Sequence, residues 1–348
     1  MKRMVLFMTL SLLLIFLAAC GESGTNSNES DKDKDSNASA ASDMSGEIEF
    51  YTSQPDVDAE KLVDAFNQEY PDVKVNIFRS GTEEVISKIN AENQAGEVQA
   101  DVLLVADAVT FEGLKKENML MNYMSPEAES IPNDFVDPDG MYTGTKIMAT
   151  GLIVNTDKVS AAPTSWQALT SEDASDQIVM PSPLYSGAAA YNLSVLTRNQ
   201  AFGWDFYEAV QKNSPMITEG NGAVMENVSS GQKSYGMVVD YLAARAANDG
   251  SPIQLVYPEE GVPVITEPVG IMADTDQEEV AKAFVDFILS EEGQKMQAKI
   301  GYTPIREGVE PPKGLKSLDE IKVLQAPIEE LYESRTSDKE KFDELFSK

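Results

Sequence analysis

Along most of the chain, apolar residues recur at spacings that read as strand followed by helix. Ile48, Glu49, Phe50 and Tyr51 alternate as a half-buried strand, and from Ala59 to Tyr70 the residues Leu62, Val63, Phe66 and Tyr70 return at helical spacing. The pair recurs with Val73 to Phe78 as a strand and Glu83 to Asn93 as a helix, Val85, Ile86 and Ile89 inward. A third pair follows, with Asp101 to Val105 as a buried strand and a helix near Val109 to Lys116. Strands alternating with helices predict a mostly parallel sheet covered on both faces.

After Met141 the character changes. Tyr142 to Asn155 reads as extended chain, and Pro163 to Leu169 as a short capped helix. A second α/β series follows: strands over Gln177–Met180 and Tyr235–Val239, and helices over Gly187–Arg198, Phe202–Lys212, Gly222–Gly231 and Tyr241–Asn248. An apolar strand near Thr266 to Met272 precedes amphipathic helices over Glu278–Leu289 and Glu291–Ile300. Roughly 300 residues exceed what one core comfortably organises, so the expectation is two lobes with crossings near residues 147 to 152 and 264 to 268. No internal repeat period is visible.

The first twenty residues break this pattern. Lys2 and Arg3 precede an apolar run from Met4 to Leu17 that closes on Leu17-Ala18-Ala19-Cys20. A charged start, an apolar stretch too short to span a bilayer and small residues before a cut describe a secretory signal. Cys20 is the only cysteine and sits where a lipoprotein signal peptidase would leave a lipidated N-terminus. The expectation is an extracytoplasmic protein anchored by lipid to a bacterial cell membrane. From Gly21 to Ser45 the chain has almost no large apolar residue and cannot bury enough surface to offset ordering entropy; it reads as a flexible leash. The expected division is signal 1–19, lipidated Cys20 and linker 20–45, lobe 1 over 46–148, lobe 2 over 149–265, a return to lobe 1 over 266–305, and a C-terminal helical segment over 306–348.

Charge narrows the function. Without Lys2 and Arg3, 25 basic residues face 58 acidic ones, a net charge of −33, which argues against nucleic acid and against direct adhesion to anionic lipid. Histidine is absent, so zinc sites built on Cys or His are not expected. No second cysteine exists for an internal disulfide, so a large exported fold relies on its own core.

In doubly wound sheets ligands sit beyond the carboxyl ends of strands. Four turns fit that rule: Tyr51-Thr52-Ser53-Gln54, Ser80-Gly81-Thr82, Ser186-Gly187-Ala188 and Asn221-Gly222-Ala223. Three open a predicted helix with a small polar residue followed by glycine. Such ends offer unpaired N–H groups and a positive dipole end suited to phosphate; each turn alone reads equally as a plain N-cap. Tyr51, Tyr185 and Tyr241 could supply flat walls with a hydroxyl handle. Trp166 and Trp204 read as packing in the second lobe, and Glu259-Glu260 as solvated loop.

From Ile48 through Ile305 the sequence resembles an extracellular solute-binding protein of an ABC importer, of the ferric-iron and phosphorylated-solute branch. The resemblance rests on Tyr51 to Gln54, Ala100-Asp101-Val102, Gly151 to Thr156, Pro181 to Ala188, Asn221 to Val228, Val239-Asp240-Tyr241 and Lys282 to Gln294. It implies an α/β, two-lobed, type 2 periplasmic-binding-protein-like fold, with a central mixed sheet in each lobe and a hinge of two crossings.

The family's iron ligands are a His, a Glu and two adjacent Tyr, which align with Pro55, Ala106, Tyr241 and Leu242. Only Tyr241 survives, and Asp107, Asp240 or Glu267 would have to complete another shell, since ferric iron needs several oxygen donors. Ser186-Gly187-Ala188 matches the family's phosphate-holding turn and Asn221 its phosphate-contacting Asn. Asp240 and Glu267 occupy places where hexose-phosphate relatives hold sugar hydroxyls; aminoethylphosphonate stays open, and Asp240 reads equally as a cap of the helix at Tyr241. The ligand-binding set so implied is Thr52, Ser53, Ser80, Gly81, Thr82, Asp107, Tyr185, Ser186, Gly187, Ala188, Asn221, Asp240, Tyr241 and Glu267, with Tyr241, Asp240 and Glu267 as the donors if the ligand is iron.

The expected activity is binding without chemistry: a monomer with no cofactor closes two lobes about a small, anionic, phosphate-bearing solute and docks on an ABC permease. Ferric iron is the alternative cargo. A lipid-anchored hydrolase is the rival from another class; the chain has no His and no Gly-x-Ser-x-Gly elbow, although a paired-carboxylate glycosidase is compatible with the abundant acids. A surface chaperone would need a broad apolar groove.

Overall fold

A computed structural model of the chain describes residues 44–347. Residues 1–43, with the expected signal, most of the leash and Cys20, and Lys348 lie outside the described residues. The described residues open with β1 (Ser45–Thr52), α1 (Asp56–Glu69), β2 (Asp72–Arg79), α2 (Thr82–Ala95), β3 (Val102–Leu104) and α3 (Ala108–Lys116). β1 lies between β2 and β3 and pairs with both in parallel, as right-handed βαβ crossovers require.

The long strand β4 (Thr143–Asn155) is buried along its whole length. It leads to β5 (Ile178–Pro181), α4 (Gly187–Arg198), α5 (Gly203–Gln211), β6 (Met216–Thr218), α6 (Asn221–Ser229), β7 (Tyr235–Val239), α7 (Asp240–Asn248) and β8 (Ile253–Val256). A second long strand, β9 (Val262–Ile271), returns the chain to α8 (Glu278–Leu289), α9 (Glu291–Ile300) and β10 (Thr303–Pro304). After β11 (Val323–Leu324) the chain ends in α10 (Ile328–Phe346).

Strand order is β2-β1-β3-β9-β4-β7-β5-β6. The sheet is therefore mixed, as the family resemblance implies, and the mostly parallel sheet read from strand–helix alternation alone is corrected. β9 runs antiparallel to β3 and to β4, and β4 antiparallel to β7. Alternating strand and helix periods report local crossovers; they carry no sign of the long strands that pass between the two halves. β4 pairs with β9 from Thr143 to Ala149 and with β7 from Thr150 to Val154, so one strand joins the two parts of the sheet. β6 and β8 were not among the expected strands; β6 has only three residues, none of them buried.

Each half has its own core. Phe284 of α8 lies 5.0 Å from Phe50 and 4.9 Å from Phe66, ring centre to ring centre, so the late helices cover the first strands. In the second half Trp166 is fully buried and donates its indole N–H to Gly261 O at 2.8 Å, as a buried indole must, while Trp204 stays half-buried at 6.0 Å from Tyr207. Leu331 and Phe342 of α10 join Leu193, Leu196, Phe206 and Tyr207 in the same cluster. Glu260 is half-buried and accepts from Ser165 rather than standing free in solvent, because the loop folds back over the 3-10 turn at Trp166.

Candidate functional site

A cavity of about 610 Å³ lies where strand ends of the two halves face each other. Five helices, α1, α2, α4, α6 and α7, begin on it, and the starts of α2, α4 and α6 lie in the predicted Ser-Gly, Ser-Gly and Asn-Gly turns. Ser186 caps α4, its hydroxyl accepting from the Ala189 N–H at 3.3 Å. Asn221, the first residue of α6, accepts from the Val239 N–H at 3.2 Å and donates from Nδ2 to the Ser186 hydroxyl at 3.3 Å. The starts of α4 and α6 are thereby fixed to each other and to the end of β7. α2 begins at Thr82 with Gly81 as its cap and no capping side chain.

The α2 and α4 starts approach closely across the cleft. A Cβ on Gly81 would lie 2.7 Å from the Tyr185 carbonyl oxygen, and one on Gly187 would lie 2.4 Å from the Ala106 carbonyl oxygen. The Glu83 N–H donates to Tyr185 O at 3.3 Å. Glycine is required at both places because backbone meets backbone there.

The opposite end of the cavity is built from side chains. Glu267 of β9 pairs with the fully buried Lys146 of β4; it also accepts from the Ser53 hydroxyl and from Gln54 Nε2, each at 3.4 Å. Asp58 accepts from Arg245 Nη1 at 3.2 Å, from Arg245 Nη2 at 3.0 Å and from the Tyr302 hydroxyl at 2.9 Å. The Lys146 ammonium stands 4.8 Å from the Tyr302 ring centre, which lies 4.3 Å from that of Tyr241. Burial pulls Lys146 below the ordinary lysine range, opposed by Glu267 and Asp58. Burial also raises the phenols of Tyr241 and Tyr302 above their usual value, so both keep their protons.

Of the residues implied by the sequence, Ser53, Gly81, Thr82, Tyr185, Ser186, Ala188, Asn221, Tyr241 and Glu267 line this cavity. Thr52, Ser80, Asp107, Gly187 and Asp240 do not. The Thr52 hydroxyl donates to Leu104 O at 2.8 Å and accepts from the Gln54 N–H at 3.1 Å. Ser80 turns to Glu84, and Gly187 packs on Ala106. Asp107 caps α3 by accepting from the Thr110 N–H at 3.1 Å and pairs with Arg335 at 3.1 Å. Asp240 spends its carboxylate on the Ala149 N–H at 3.1 Å, the Tyr241 N–H at 2.8 Å and the Tyr257 hydroxyl at 2.9 Å; it is the first residue of α7, whose N-cap is Val239, so the expected capping role is corrected to one of tying the end of β7 to β4 and Tyr257. Burial pushes its pKa up to about 6 against those hydrogen bonds.

Sequence reasoning placed Gln54 in a candidate turn without giving it a role and missed Asp58, Arg79, Arg245 and Tyr302; all five face the cavity. Arg79 could have been found, since it ends a strand immediately before Ser80-Gly81-Thr82. It donates to Gln54 O at 2.9 Å and to the Tyr185 hydroxyl at 3.5 Å. Asp58, Arg245 and Tyr302 had no local signal, for the pairs they form span 187 and 244 residues.

Residues 98–332 match the family model described as bacterial extracellular solute-binding protein. The chain belongs to that family. This solute-binding protein is 28% identical over 245 residues to the probable ABC transporter periplasmic-binding protein y4fP of Sinorhizobium fredii, covering 67% of each chain. Its fold is similar to that of the periplasmic binding protein AfuA from Actinobacillus pleuropneumoniae, solved with fructose-6-phosphate, with a TM-score of 0.80, 25% identity and coverage of 87% of this chain and 99% of the other. It also resembles iron-bound HitA from Pseudomonas aeruginosa, with a TM-score of 0.75, 19% identity and coverage of 85% and 99%. The protein is an extracytoplasmic solute-binding protein of the ABC-transport type with the two-lobed α/β fold of these structures.

Proposed function

We propose that this protein captures a phosphate-bearing small solute, a hexose phosphate or a phosphonate, and delivers it to an ABC permease while anchored through lipidated Cys20. The observation that carries the reading is the convergence of the α2, α4 and α6 starts on one end of the cavity, with Ser186 and Asn221 bonded to each other. Helix N-termini present free N–H groups and about half a positive charge each, and Arg79 adds a guanidinium that forms no ion pair among the described residues. Glu267 and Asp58 at the other end suit hydroxyl or ammonium donors. The resemblance to AfuA, solved with fructose-6-phosphate, supports the same reading.

Ferric iron is the second reading, supported by the resemblance to iron-bound HitA. Against it, Pro55, Ala106 and Leu242 present hydrocarbon to the cavity at three of the four places where the resemblance puts iron donors. Tyr241 resists ionising, Asp240 is committed to three hydrogen-bond donors, and Glu267 is paired with Lys146.

On this reading lobe 1 (46–148 and 266–305) and lobe 2 (149–265) close on β4 and β9, and the protein acts as a monomer that binds without turnover. A thermal-shift screen against fructose-6-phosphate, glucose-6-phosphate, aminoethylphosphonate, inorganic phosphate and ferric citrate tests the ligand. A true ligand at a hundredfold excess over its dissociation constant stabilises by about 2.7 kcal/mol. A response to ferric citrate alone would replace the phosphate reading by iron. Unchanged small-angle scattering on saturation would remove lobe closure, and release of product from a sugar phosphate would restore the hydrolase. A Cys20→Ser chain still found in the membrane fraction would remove the lipid anchor.

A further inference from the structure

Helix α10 faces two ways. On one side Leu331 and Phe342 sit in the core of the second half beside α4 and α5, and Asp338 accepts from the Ser194 hydroxyl and from Arg198, each at 2.7 Å. On the other side it reaches the first half mainly through charge. Arg335 donates to both oxygens of Asp107 at 3.3 and 3.1 Å and to Glu83 at 3.0 Å. Lys339 pairs with Glu83 at 2.6 Å, and Glu329 with Lys116 at 2.7 Å. Val109 is the one α3 residue in the shared apolar cluster. A hollow of about 370 Å³, lined in part by Glu83, Ile86, Tyr332 and Lys339, separates the helices beside the ion pairs.

Both acceptors stand at the ligand cleft. Glu83 lies in the first turn of α2, directly after the cavity residue Thr82, and its own N–H donates to Tyr185 O across the cleft. Asp107 follows the cavity residue Ala106 and caps α3. Side-chain exposure is 14% for Arg335, 17% for Glu83 and 1% for Asp107, so water and salt screen these pairs weakly. A forked guanidinium bonded to two carboxylates is strong and directional, and the hydrocarbon that has to separate with it is Val109 in the shared cluster and Tyr332 against Gly113 and Lys116.

We propose that α10 is an ionic clasp, seated in the second lobe by its apolar face and holding the first lobe shut through Arg335 and Lys339, so that it sets how long the cleft stays closed. The proposal rests on the two-lobe closure described above. Its test contains no ligand, so its failure is separate from a failure of the phosphate reading.

The measurement is hydrogen exchange on the ligand-free full chain, comparing wild type with Arg335→Gln and Arg335→Lys. Exchange at Thr82–Val85 and Tyr185–Ala189 is expected to quicken about tenfold or more in Arg335→Gln, with α10 amides unchanged, and to fall between that and wild type in Arg335→Lys, which keeps the charge but loses the fork. Unchanged exchange at both segments would overturn the clasp. So would loosening of α10 itself in both variants, which would make Arg335 a residue of the fold and not of closure.

Discussion

The two ends of the ligand cavity are built by different means. One end is backbone: the starts of α2, α4 and α6, with Gly81 and Gly187 allowing main chain to meet main chain. The other is side chain: Asp58, Lys146, Arg245, Glu267 and Tyr302, drawn from α1, β4, α7, β9 and the segment before β10 and held by mutual pairing. A backbone site keeps its chemistry whichever small residues form it, and matches an anion. A side-chain site is tunable residue by residue, but its charges are buried and so tied to the stability of the fold.

That contrast can be broken most sharply at Lys146. Lys146→Met leaves Glu267 buried without its partner and is expected to cost about 3–5 kcal/mol of folding stability, read by chemical denaturation, while Lys146→Met with Glu267→Gln recovers much of it. Equal stability of wild type and single variant would mean that the pair is not what holds this end together.

Asp240 gives the next effect. Its folded pKa is raised from 3.8 to about 6, so the native state binds the proton more tightly than the unfolded chain. Its contribution to stability is therefore fully present below 3.8 and is lost as pH rises through about 6, on the order of 3 kcal/mol. Urea midpoints taken across this window should fall with pH in wild type relative to Asp240→Asn; parallel curves would show that the hydrogen bonds to Asp240 cancel the effect of its burial.

At the backbone end, Gly187→Ala should act on binding more than on folding. Its methyl group would meet the Ala106 carbonyl and Thr82, both on the facing half, so if closure follows ligand capture, calorimetry is expected to show affinity falling by the equivalent of about 1–3 kcal/mol with a small change in melting temperature. A large melting loss would mean that this contact belongs to the resting fold. Ser186→Ala is the mildest, about 1 kcal/mol from the lost cap, and should leave Asn221 bonded to Val239. An unchanged affinity would take Ser186 out of the anion site.

How much of this was legible follows from where the information lies. Helices Gly187–Arg198, Glu278–Leu289 and Glu291–Ile300 and strand Tyr235–Val239 fall where the apolar period puts them, because period and capping are properties of neighbouring residues. The anion end was visible for the same reason: a cap, a glycine and a strand end lie within a few residues at each turn. Thr52, Ser80, Asp107, Gly187 and Asp240 sat in the right turns yet do not face the cavity, since a turn's place in sequence does not say which way its side chains point.

The sequence by itself determined the alternation of strand and helix, the acidic surface, the absence of histidine chemistry and the turns that end on the cleft. Only the tertiary structure decided that β4 and β9 run antiparallel through both halves, and that Asp58 meets Arg245 and Tyr302. It also decided that Glu267 is neutralised from beneath by Lys146 and that α10 spans from one half to the other. Those contacts join residues far apart along the chain, and a pairing across such distances leaves no periodic mark on the residues between them.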